Sequence, residues 1–96
     1  MAIQSFSDKN TEYFFITGKI TKGVKWQLIK AVAMRKLDML HYAADLRDLQ
    51  VPPGNKLESL SGDLSDFYSI RINDQWRIIF KWTNSGPCEV KIIDYH

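Results

Sequence analysis

The chain has a single cysteine, Cys88, so no internal disulfide can staple it, and its two histidines, His41 and His96, are far apart in sequence. That histidine and cysteine count offers no ligand spacing for a metal. The five glycines are scattered, which excludes a glycine-rich phosphate loop. No cofactor and no metal are therefore expected. No apolar run approaches the ~20 residues that span a bilayer, and the opening Met-Ala-Ile-Gln-Ser-Phe lacks the basic and apolar regions of a secretory signal. A cytoplasmic address without a membrane partner is the expectation. Repeats, low-complexity tracts and linkers are also missing, so 1–96 reads as one domain.

What the chain does have is aromatic and apolar weight, 12% and 45% of 96 residues, enough for one core. Its net charge of +2 is modest but unevenly spread. Between Tyr13 and Leu37 stand six basic residues (Lys19, Lys22, Lys25, Lys30, Arg35, Lys36) and no acid, whereas Asp38 to Asp66 holds six acids against Arg47 and Lys56. A basic block of this kind either anchors a polyanion through phosphate contacts or is a solvated helix face.

Two period-two runs, Tyr68 to Ile72 and Trp76 to Trp82, flank the turn Asn73-Asp74-Gln75 and predict half-buried strands. Tyr68, Ile70, Ile72, Trp76, Ile78, Phe80 and Trp82 share the apolar face; Ser69, Arg71, Arg77 and Lys81 share the other. After a turn at Thr83 to Pro87, a third run puts Cys88, Val90 and Ile92 on the apolar side, with Glu89, Lys91, Ile93 and Tyr95 opposite. Cys88 thus reads as a buried structural thiol. A meander of these runs leaves an open basic face with His96 at its rim, suited to a phosphodiester.

Ala2 to Phe6 is expected to form a short edge strand, and Asp8 or Asn10 to cap a brief helix through Thr17 that ends near Gly18. Trp26, Ile29, Ala33, Leu37, Leu40 and Ala44 recur at steps of three and four and predict a longer helix from Val24 to Arg47, stopped by Pro52-Pro53-Gly54. Its polar side would carry Lys30, Arg35, Lys36, Asp38, His41 and Asp45, with His41 and Asp45 an exposed i, i+4 pair. Helix against sheet gives an α+β domain. Each large side chain buried between the layers contributes about 1.5–3 kcal/mol, so Trp76, Phe80 and Trp82 read as core rather than base-stacking platforms.

Three motifs in order carry a resemblance: Val51-Pro-Pro-Gly-Asn-Lys-Leu-Glu-Ser-Leu-Ser-Gly-Asp63, then Tyr68-Ser-Ile-Arg-Ile-Asn-Asp-Gln-Trp-Arg-Ile78, and the closing Ile-Asp-Tyr-His96. Together they resemble the HigB toxins, the plasmid maintenance killer branch of the RelE-like superfamily, and most of all its GraT-type members. The resemblance implies a RelE-like domain with an N-terminal strand and helical hairpin packed on a mainly antiparallel sheet. It also implies a ribosome-dependent endoribonuclease that cuts mRNA. The implied partner is a helix-turn-helix antitoxin that represses the shared operon, so that operator DNA is met only through the antitoxin.

Metal-independent RNA cleavage needs a base for the 2′-hydroxyl proton, a cation for the phosphorane-like charge and an acid for the departing 5′-oxygen. Imidazole suits either proton transfer, and guanidinium grips phosphate. His96, Arg77 and Arg71 supply such groups, although an exposed strand face carries arginines simply to discourage aggregation. By resemblance, Asp94, Tyr95, His96 and Arg77 match residues implicated in cleavage, with Tyr95 expected to stack on or orient a nucleotide and Asp94 to orient its neighbours. Lys81 and Lys91 extend the basic face toward the RNA backbone. Some HigB toxins carry His where this chain has Glu58, and Lys where it has Ser61. Glu58 is then either the replacement base or a surface residue. The departure also keeps open a rival reading, a catalytically weak module that occupies the ribosome or serves the antitoxin as corepressor.

Overall fold

The computed structural model describes residues 2–94. Helix α1 spans Lys9–Thr17, and Asp8 caps it as expected: its carboxylate accepts from the Asn10 amide at 3.2 Å and the Thr11 hydroxyl at 2.8 Å. The helix stops at Gly18, whose φ of 74° is a left-handed conformation glycine adopts without a Cβ clash. Thr11 is wholly buried, and its Oγ1 accepts from the Ile92 amide at 3.2 Å, tying the first helix to the last strand.

Helix α2, Lys30–Tyr42, is shorter than the expected Val24 to Arg47 at both ends. Before it lies only a 3-10 turn at Gln27–Ile29, with Trp26 buried edge-on against Phe14 at 5.0 Å. After it the backbone is extended at Ala43, because Asp48 Oδ2 accepts from the amides of Ala44 and Asp45 while Asp45 accepts from that of Arg47. These side-chain acceptors offer the backbone a capped 3-10 turn, Leu46–Gln50, in place of a fifth helical turn.

Four strands follow: β1 Glu58–Ser59, β2 Tyr68–Arg71, β3 Trp76–Thr83 and β4 Gly86–Asp94, antiparallel and in chain order. Asn73 makes the expected turn, its Oδ1 accepting from the amides of Gln75 and Trp76 at 2.8 Å each. Residues 4–7 run beside β4 in parallel, through Gln4 N–H to Pro87 O and Val90 N–H to Ser5 O. The expected N-terminal strand is thus reduced to one bridge, Phe6 to Val90.

The apolar face of the sheet packs under the helices as predicted. Phe14, Leu37, Leu40, Ile70, Ile78, Phe80 and Val90 are fully buried, Trp76 nearly so, and Trp82 half-buried against them. The result is an α+β domain of two helices on a four-stranded antiparallel sheet.

Three further expectations are corrected. Cys88 does not lie on the apolar side: a bulge between the Ile79–Lys91 and Lys81–Cys88 pairs, with Glu89 at φ 51°, shifts the alternation and puts Cys88 opposite Lys81, half-buried. Lys36 is buried rather than on a solvated helix face. His41 makes no pair with Asp45; its Nδ1 accepts from the Ile3 amide at 3.2 Å and its ring packs on Phe15 at 5.1 Å, because the helix ends before Asp45.

Candidate functional site on the second face of the sheet

The second face is not the open basic surface that alternation suggests. Arg77 is only 7% exposed, Ser69 is wholly buried beside it, and Ile79 is buried between Arg77 and Lys81. Burial of a guanidinium demands partners. Arg77 Nε donates to Ser69 Oγ at 2.8 Å, and its Nη2 donates to Lys56 O at 2.7 Å and lies 3.6 Å from Glu58 Oε1. Strand β1 explains the meeting: Glu58 is in register with Ser69 on β2, and Arg77 is in register with Arg71. Glu58 itself is exposed and borders an open cleft of about 220 Å³ between the Leu46–Gln50 turn and β1.

Arg71 stands opposite Arg77 but is committed to Asp74, whose carboxyl that guanidinium holds below its ordinary value, first by hydrogen bonding and then by charge. Lys81 lies four residues from Arg77 along β3, about 13 Å away at ordinary strand rise. Its ammonium is 3.0 Å from Glu89 Oε2, which raises the lysine pKa, and it sits over the Phe67 ring at 5.2 Å. Lys91 is exposed, in register with Ile79. Asp94 pairs with Trp76 at the far end of β4, on the helix side of the sheet, and accepts from Gln75 Nε2 at 3.1 Å. Tyr95 and His96 lie outside the described residues.

So Glu58, Arg77 and Arg71 are brought together, whereas Lys81 is spent on a local ion pair and Asp94 occupies the other side of the sheet. Sequence reasoning did not assign Ser69 or Lys56 to the site, though both hold Arg77, nor the separate contact of Lys36 with Asn55, the residue before Lys56. Lys36 Nζ donates to Asn55 Oδ1, and both are buried. Burial lowers the Lys36 pKa, and the nearby charges of Arg35 and then Arg71 lower it further. Helix periodicity carries no sign of this, because Lys36 falls among the polar positions of α2 and its buried partner Asn55 lies 19 residues further on. Among the described residues no group of three or more His, Cys, Asp or Glu is placed to hold a metal ion, and no helix is long and apolar enough to cross a membrane.

Comparison with known proteins bears on the family and the fold. A family model described as the RelE-like toxin of type II toxin-antitoxin system HigB matches residues 4–96. Toxin HigB-1 of Vibrio cholerae serotype O1 is 39% identical over 84 residues, covering 88% of this chain and 86% of that protein. Endoribonuclease HigB of Proteus vulgaris is 31% identical over 94 residues, covering 98% and 99%. Among solved structures, the YoeB-YefM complex from Staphylococcus aureus superposes at a TM-score of 0.57 with 18% identity, over 100% of this chain and 97% of that one. The YoeB/ParE toxin from Agrobacterium tumefaciens gives 0.51 and 22%, over 100% and 99%. At these identities the two structures speak for the fold alone. The family model and the two HigB relatives carry more, and on them the chain belongs to the HigB family of RelE-like toxins of type II toxin-antitoxin systems.

Proposed function

We propose that this toxin is a ribosome-dependent endoribonuclease that cleaves mRNA without a metal, halts translation, and is neutralised by a helix-turn-helix antitoxin, through which alone it meets operator DNA. The observation that carries this reading is a guanidinium fixed by Ser69 and Lys56 with a carboxylate 3.6 Å away, in a chain whose relative in Proteus vulgaris is named an endoribonuclease.

In this mechanism Glu58 accepts the 2′-hydroxyl proton, the 2′-oxygen attacks phosphorus, and Arg77, with Arg71 from the neighbouring strand, stabilises the charge that develops on the phosphoryl oxygens. His96 protonates the 5′-oxygen as its bond to phosphorus breaks. Tyr95 stacks on a nucleotide, Asp94 orients the end of β4, and Lys81 and Lys91 meet the RNA backbone. Few groups are prepositioned on so small a domain, and the ribosome supplies the rest by holding mRNA in place, which reduces the entropic barrier.

The rival reading, arrest by occupancy of the ribosome, is favoured by one fact: Arg77 already spends donors on Ser69 and Lys56. Expression of wild type, His96→Ala and a chain ending at Ile93, with mapping of mRNA ends, separates the two. Arrest with new mRNA ends in wild type alone supports cleavage; equal arrest without ends in all three overturns it. Glu58→Gln tests the base, and unchanged cleavage removes Glu58 from the mechanism.

A further inference from the structure

Lys36 and Asn55 form a buried polar contact that no step of the mechanism uses. Lys36 is 6% exposed on α2 and Asn55 is fully buried, a costly arrangement for an ammonium that a Leu or Met would avoid. Asn55 uses both ends of its amide: Oδ1 accepts from Lys36 Nζ, while Nδ2 donates to Leu49 O at 3.1 Å and Val51 O at 3.3 Å. The next residue, Lys56, is held left-handed at φ 45°, ψ 54°, a conformation that a side chain with Cβ rarely takes. In that conformation its carbonyl accepts from Arg77, and two residues further on the Glu58 carboxylate faces the same guanidinium.

We propose that Lys36 and Asn55 are positioning residues for RNA cleavage, a strut from α2 that fixes the Lys56–Glu58 segment so that Glu58 and Arg77 face each other. The inference rests on the nuclease reading above. Neither residue touches the reacting atoms; each acts through the backbone of Lys56.

The test uses Lys36→Met, which keeps an unbranched side chain one atom shorter and removes the donor, and Lys36→Gln, which has the same reach as Met but keeps a donor. In the whole protein, proton exchange at the Arg77 guanidinium Nη–H groups is followed by NMR, and mRNA cleavage is measured on ribosomes well below the melting temperature. The expected result is loss of Arg77 Nη–H protection and a kcat about 10²-fold lower with KM unchanged in Lys36→Met, as for a small misplacement of reacting groups, with partial recovery in Lys36→Gln. Should Lys36→Met not fold, Asn55→Asp keeps the acceptor for Lys36 but loses the donors to Leu49 and Val51, and the same exchange signature is expected. Folded variants with protected Arg77 and cleavage within about twofold of wild type overturn the strut. If wild type itself leaves mRNA intact, the nuclease reading falls, while the exchange measurement still decides whether the strut holds Arg77.

Discussion

The two faces of the sheet are built on opposite terms. On the helix side, Ile70, Ile78, Phe80 and Val90 are buried among apolar neighbours, and nothing about their partners is specific beyond shape. On the other side, Ser69 and Arg77 are buried just as deeply, but each polar atom named there has a directed partner: Ser69 Oγ, Lys56 O, the Glu58 carboxylate. A face held by packing tolerates a change of one apolar residue for another of similar volume. A face held by directed bonds to a buried cation tolerates almost none, which is the precision the proposed cleavage would require of Arg77.

Substitution on each face turns this contrast into numbers. Phe80→Ala empties the centre of the helix side and is expected to cost about 3–5 kcal/mol in urea unfolding, enough to threaten a domain of this size. Arg77→Met should cost less, about 1–3 kcal/mol, from the unsatisfied Ser69 hydroxyl and Lys56 carbonyl, yet abolish mRNA cleavage. Arg77→Lys should not restore it, since an ammonium lacks the planar fork that spans both partners. An Arg77→Lys protein with full cleavage would break the contrast. A third change sharpens it from outside the sheet: Asp8→Ala removes the cap of α1 and is expected to cost about 0.5–2 kcal/mol with cleavage unaltered, checked by melting and by mRNA end mapping.

How far each face is legible in the sequence follows from the same contrast. Alternation identifies Ile70, Ile78 and Phe80 as core because burial of apolar groups obeys strand period alone. The same alternation places Arg77 on the second face but calls that face open. Its burial depends on Lys56 and Glu58, some twenty residues earlier, returning across β2 through a two-residue strand too short to announce itself. Lys36 is hidden for a related reason: a helical wheel assigns it to solvent, and only the position of Asn55 in the fold makes it internal. Alternation puts Cys88 on the wrong face because one extra residue at the Glu89 bulge inverts every side chain before it. The motif match to HigB toxins reaches a residue that periodicity could not, namely Glu58, though it says nothing of Lys36 or Asn55.

The smallest expected effect is a pair of opposite slopes in alkaline stability, one from each environment. Lys36 has a folded pKa below the ordinary lysine value of 10.5, chiefly through desolvation. Between that depressed value and 10.5 the unfolded chain binds more protons than the folded one, so stability contributed by this group rises with pH there. Lys81 is the reverse. Its hydrogen bond and ion pair with Glu89 raise the folded pKa above 10.5, so its contribution is fully present below 10.5 and is lost as pH climbs through the raised value. Urea unfolding from neutral to strongly alkaline pH should therefore show wild type gaining on Lys36→Met below 10.5 and losing ground to Lys81→Met above it. A Lys36→Met curve parallel to wild type across the lower window would mean that the ammonium is hydrated in solution, and the contact with Asn55 too loose to hold Arg77 in place.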